Sequence, residues 1–247
     1  MDEEKWILSE VDLMPPPSGP KWATEARDRL YRVIRDSTAA GGPMFRPDRR
    51  GDAEETRQTV TDFLREGFRY THEELTTEYA GEFADYCVRI DGDRIAFIKV
   101  EPWSTGHLTT KLATTQVRQL ARHAVNESVE WAIITNGLLW KVFHVGSRTP
   151  IEIDLAMDVN LAKGDRRRKS IDELFYLTRE SMSRRQIDEF WHARRATTPR
   201  SLAGALTSDV VAEAIRNEIR HSSKQWVERE DVKRLLRETV IRPECFE

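Results

Sequence analysis

The sequence predicts a chain of the α/β (α+β) class. Two hairpin turns, Asp91-Gly92 and Asn136-Gly137, each lie between β-forming apolar runs, and such dipeptides adopt the left-handed conformations that tight hairpins require. A segment of helical apolar spacing precedes the first hairpin and another separates the two, giving the order helix, strand, strand, helix, strand, strand. Beyond residue 160 the spacing becomes helical.

Residues 1–50 read as an N-terminal arm, in which "MPPPSGP" is a stiff linker, "WATEARDRLYRVIRDS" a short helix and "AAGGPMFRPDRRGD" a loop. Residues 51–160 form the core. There, "AEETRQTVTDFLREGF" sets Val60, Phe63, Leu64 and Phe68 at helical spacing, with Glu54 and Glu55 in the first turn, where the helix dipole favours acids. "EFADYCVRI" alternates its two faces and pairs through Asp91-Gly92 with "DRIAFIKV". "HLTTKLATTQVRQLARHAV" places Leu108, Leu112, Val117, Leu120 and Ala124 roughly on one side, as in a helix packed across a sheet. "VEWAIIT" and "LLWKVFHV" make the second hairpin, with Trp131 and Trp140 as core residues. Residues 161–247 form a C-terminal helical region containing "SIDELFYLTRE", "SRRQIDEFWHARR", "SDVVAEAIRNEIRHS" and "EREDVKRLLRETV", with helix starts near Ser208 and Glu228.

A chain of 247 residues, 39% hydrophobic and 33% charged, can bury a sizeable core without disulfides and is not disordered throughout. Two distant cysteines, Cys87 and Cys245, give neither a disulfide framework nor a zinc module, and fit a reducing cytoplasm. No apolar run approaches the roughly 18 to 20 residues that span a bilayer, and "MDEEKWILSEVDL" lacks a basic segment followed by an apolar one. The expected location is cytoplasmic, with no membrane partner. A net charge of -3 gives no global attraction to nucleic acid, so an anionic partner must meet a local patch. Between Lys163 and Arg200, 11 Lys/Arg stand against 6 Asp/Glu, a surplus that suits either phosphate neutralisation or a solvated helical face.

The stretch "RIAFIKVEPW" carries Lys99 and Glu101 two residues apart in an apolar strand. Successive strand side chains face opposite ways, so both charges point to one side. Folding the hairpin brings Asp85 of the preceding strand beside them. Carboxylates on adjacent strands suit Mg²⁺ or Mn²⁺, hard cations that take a few carboxylates plus water. The metal would activate that water and a lysine would stabilise phosphate charge, the parts of a phosphodiesterase. The plain structural alternative is that Lys99 pairs with Asp85 or Glu101 at a strand end.

Together, Glu54 or Glu55 on the first helix, "ADY", "AFIKVEPW", "QVRQLARHA" and "AIITNGLLWKVFHV" resemble the N-terminal nuclease domain of type I restriction enzyme motor subunits, over roughly residues 53 to 146. That domain belongs to the PD-(D/E)XK nuclease fold, a short mixed sheet flanked by helices. The resemblance implies that Asp85 binds metal, that Gln119 helps to position the site, and that Glu54 or Glu55 adds a ligand. Ala84 stands where a proline is usual, and His123 where a tyrosine is usual.

The family pattern is acid, one residue, lysine, whereas this chain has "IKVE". The exchange keeps both charges on one face and moves the carboxylate about 6.6 Å along the strand. If Glu101 reaches back or the metal shifts, Asp85, Glu101 and the Val100 carbonyl would hold Mg²⁺ or Mn²⁺, with Lys99 near the phosphate. If Lys99 lies where the acid belongs, its ammonium neutralises Asp85 in place of the cation, and the domain only binds.

Trp103 is placed near the site mouth, and His107 and His123 lack the spacing of a zinc site. No phosphate-binding Gly-rich loop with Lys-Ser/Thr occurs, and no helicase motor fits after residue 146. The expected function is a metal-dependent DNA endonuclease in restriction, defence or a phage, acting on DNA alone or with other such subunits, and dimerised through its C-terminal helices. The alternative is an inactive nuclease-fold module that binds DNA or a protein; an assembly subunit is a third class.

Overall fold

The computed structural model describes residues 19–38, 53–77, 83–102, 110–147, 150–161 and 167–246. Trp103, His107, Leu108 and most of the linker and loop of the N-terminal arm lie outside these residues. Contacts divide the chain at 189/190 rather than at 160/161, so the helix expected in the arm and residues 167–189 belong to the same unit as the sheet.

That unit holds a six-stranded mixed sheet of β1 (Leu75–Thr76), β2 (Tyr86–Ile90), β3 (Asp93–Val100), β4 (Trp131–Thr135), β5 (Leu139–Val145) and β6 (Ile153–Asn160), adjacent in chain order. The sheet is flanked by helices, as an α+β chain requires. Only β3 and β4 run parallel. A parallel pair needs a long crossover, and α3 (Thr110–Asn126) supplies it. At the first hairpin Asp91 and Gly92 both take positive φ, 53° and 92°, the signature of a type I′ turn. At the second, Gly137 has φ 89°, and Asn136 Oδ1 accepts from the N–H groups of Leu138 and Leu139 at 3.1 and 2.8 Å, so a side chain completes the turn.

The inward face of α3 buries Val117, Leu120, Ala121 and Ala124 among Cys87, Phe97, Ala132 and Ile134. Strand alternation turns Trp140 to the other face, since it pairs with Thr135, the neighbour of Ile134. There it is fully buried, 5.3 Å from Phe63 and 5.2 Å from Phe68 between ring centroids, and its Nε1 donates to the Gly137 carbonyl at 2.8 Å. Phe63 belongs to α2 (Ala53–Glu66), whose apolar residues are buried as their spacing predicts. Trp131 is also core.

The first helix, α1 (Lys21–Thr38), packs as a structural element rather than trailing as an arm. It buries Ala23, Ala26, Leu30 and Ile34, stacks Trp22 on Phe175, and pairs Arg27 with Asp172 at 3.3 Å and Arg29 with Glu180 at 2.9 Å. The helix expected over 170–180 is broken into α4 (Arg167–Leu174), a 3-10 turn (Phe175–Leu177) and α5 (Arg179–Met182). The cause is buried Thr178, extended at ψ 150° with its hydroxyl donating to the Phe175 carbonyl at 2.7 Å.

The division falls within α6 (Gln186–Ala196), and the smaller unit continues with α7 (Pro199–Leu206), α8 (Asp209–Ser223) and α9 (Arg229–Leu235), which runs into a π turn. Helix α7 lies outside the four helical segments that the sequence predicts here, although Thr198 as N-cap and Pro199 at the first position announce it. Ser208 caps α8, and Lys233 on α9 meets Asp209 at 2.8 Å. Among the described residues no helix is long and apolar enough to cross a membrane.

Replacing Trp140 with alanine is expected to cost about 3–5 kcal/mol in denaturant unfolding, through lost burial and a cavity. Trp140→Phe should cost less but still about 1–3 kcal/mol, because the Gly137 carbonyl loses its donor.

Candidate functional site

Asp85 stands just before β2 and is 5% exposed. Its N–H donates to the Ile98 carbonyl at 2.8 Å, which continues the hairpin ladder and sets the carboxylate beside the end of β3. Each carboxylate oxygen is engaged. Arg57 on α2 donates Nε and Nη2 to Oδ1 at 3.3 and 3.2 Å. The Val100 N–H donates to Oδ2 at 2.8 Å, and Lys99 Nζ lies 3.4 Å from the same oxygen.

These contacts answer a physical demand. A carboxylate removed from water loses several kcal/mol of solvation, which only close counter-charges and hydrogen bonds offset. An ammonium at 3.4 Å contributes on the order of 5 kcal/mol at an effective dielectric of 20. Arg57 is more exposed and counts for less, but it is itself anchored to Glu54 at 2.8 Å. Burial opposes the charge on Arg57, and the carboxylates of Asp85 and Glu54 outweigh it, so its pKa is raised.

Glu101 follows β3, with its N–H donating to the Thr135 carbonyl at 2.8 Å. Burial pushes its carboxyl pKa up, with Asp85 adding repulsion, while a hydrogen bond from Gln116 and the charge of Lys99 act in the opposite sense. Glu101 is thus tied to Gln116 on α3 while also meeting the charge of Lys99, a partner it has in common with Asp85.

The structure brings Asp85, Lys99, Val100 and Glu101 into one cluster and links Glu54 to it through Arg57. Gln119 is exposed on α3 and takes no part; Gln116, one turn earlier, is the glutamine that meets Glu101. Helical phase carries the signal for this, since Gln116 lies four residues before Leu120 and eight before Ala124, both inward-facing. Arg57 had no such signal, because only the tertiary fold joins α2 to the hairpin. His123 packs on Phe97 and Phe83, with centroids 4.6 and 5.8 Å away.

A divalent cation does not fit this arrangement. Two fixed cations and a peptide N–H already occupy Asp85, and among the described residues no group of three His, Cys, Asp or Glu side chains is assembled for a metal. The fold and the cluster thus define an α+β chain with a buried aspartate at the centre of an ionic network, at the end of its central parallel strand pair. Compared with known protein families, curated proteins and solved structures, the chain matches none.

Asp85→Asn should lose about 3 kcal/mol of stability, since it leaves Lys99 and Arg57 without their charge partner. Arg57→Ala should lose less, because Lys99 and the Val100 N–H remain; urea midpoints of both variants check the order. For Glu101 the folded pKa lies above the unfolded value, so its cost is absent below the ordinary pKa of about 4.3 and grows as pH rises towards the folded value. Glu101→Gln is therefore expected to raise stability near pH 7 relative to wild type, with the gain vanishing in acid. Equal effects at both pH values would contradict the assignment.

Proposed function

We propose that the chain is a DNA-binding module of PD-(D/E)XK nuclease type that does not hydrolyse DNA, because its own cations stand where the catalytic metal belongs. The observation that carries this reading is the saturated Asp85 carboxylate, with Arg57 on one oxygen and Lys99 and the Val100 N–H on the other. The charge-exchanged "IKVE" puts lysine at the position where the resembled family has its metal-binding acid. An ammonium there supplies the neutralising charge without the open coordination positions that activate water. The six-stranded mixed sheet flanked by helices is compatible with the core that the resemblance implies.

Other restriction or defence subunits, or a second copy, are proposed partners of the C-terminal helices. Leu202, Leu206, Val210 and Trp226 are exposed there, and exposed apolar side chains favour protein contact where they adjoin. The competing reading is hydrolysis with Mg²⁺ or Mn²⁺. It is favoured by the convergence of Asp85, Lys99 and Glu101, and it requires Asp85 to exchange both cations for the metal.

Cleavage of supercoiled, linear and single-stranded DNA with Mg²⁺ or Mn²⁺, alongside calorimetric metal titration, separates the two. Wild type is expected to release no metal-binding heat and leave DNA intact. Lys99→Glu combined with Glu101→Lys should gain metal affinity. Cleavage by wild type that disappears in Asp85→Ala would sink the proposal.

A further inference from the structure

If the chain binds DNA, as the reading above holds, the Asp85 cluster is a poor place for the phosphates. Arg57 and Lys99 there are matched by Asp85, Glu54 and Glu101, so the cluster offers no surplus of positive charge. In the basic stretch 163–200, three of the described arginines are already engaged. Arg179 is bonded to Glu74, Arg185 to Asp188 and Glu130, and Arg184 lies over Trp22. Arg168 and Lys169 on α4 are exposed but share that helix with Asp172 and Glu173.

Helix α3 differs. Its 17 residues contain no Asp or Glu, in a chain whose net charge is -3. Its inward positions are apolar apart from Gln116, and its outward face carries Thr115, Arg118, Gln119 and Arg122, all exposed. Arg118 and Arg122 form no ion pair with any described residue. Being four apart, they share one side of the helix and stand about 6 Å apart along its axis. One DNA strand carries a charge every 3.4 Å of axis, so the two guanidinium groups match two phosphate steps, about 6.8 Å. Thr115 and Gln119 add hydroxyl and amide donors of the kind that contact the backbone.

We propose that the outer face of α3, through Arg118 and Arg122 with Thr115 and Gln119 beside them, docks the sugar-phosphate backbone of DNA. Contact of this kind is insensitive to sequence and sensitive to salt. It also gives exposed Gln119 a role on the surface of α3 rather than within the ionic cluster.

The test is fluorescence anisotropy of a labelled DNA duplex titrated with the full chain from 50 to 200 mM salt. Wild type is compared with Arg118→Gln/Arg122→Gln and with Arg32→Gln/Arg65→Gln, which removes the same charge elsewhere on the sheet-bearing unit. Circular dichroism checks that all three fold. Losing two phosphate contacts should flatten the plot of log affinity against log salt by about 1.8, so the α3 variant loses about 12-fold less affinity over that range than wild type. The control should keep the wild-type slope. Identical slopes for wild type and the α3 variant would overturn this inference and leave DNA binding standing. No DNA binding by wild type, or binding of a polyglutamate peptide in its place, would overturn both.

Discussion

A carboxylate buried at the end of a β-hairpin sets the terms for much of this molecule. Asp85 needs positive charge from several directions, and the fold delivers it from three elements: Arg57 from α2, Lys99 from β3, and a peptide N–H from the last residue of that strand. Each donor fixes a relation between elements. The guanidinium ties α2 to the hairpin, and the Val100 N–H ties the end of β3 to the residue that precedes β2. Glu54 in turn holds Arg57, so the acidic start of α2 serves the ionic network as well as the helix dipole.

The same network engages with the protein's own cations the carboxylate that the sequence pattern offers to a metal. Metal-assisted hydrolysis needs open coordination positions and clustered oxygen ligands. Here one carboxylate, Asp85, has both oxygens engaged by Arg57, Lys99 and the Val100 N–H, and the other, Glu101, is hydrogen-bonded by Gln116. Which of positions 99 and 101 carries the acid changes no hydrogen bond of the ladder, because backbone pairing is indifferent to which side chain is acidic.

Charge on the rest of the surface is arranged with a similar local logic. In the stretch between 163 and 200, where basic residues look concentrated in sequence, Arg179 and Arg185 are paired with acids from distant positions, Glu74 and Glu130. Helix α3 has no acid of its own to pair with. Its field is consequently the more open one, although its sequence looks unremarkable beside "KGDRRRKS".

The sequence alone determined the elements whose cause is local: both hairpin turns, the apolar stripes of α2 and α3, and the shared face of Lys99 and Glu101. These follow from turn chemistry and periodicity, which act over a few residues. It also held the signal for Gln116, through helical phase, and for α7, through Thr198 and Pro199. Only the tertiary structure decided that Arg57 completes Asp85's shell, that α1 packs into the sheet-bearing unit, and that Thr178 breaks a helix to fill a buried position. Those outcomes depend on contacts across tens of residues, where the cost of leaving a charge unpaired or a cavity unfilled outweighs local preference.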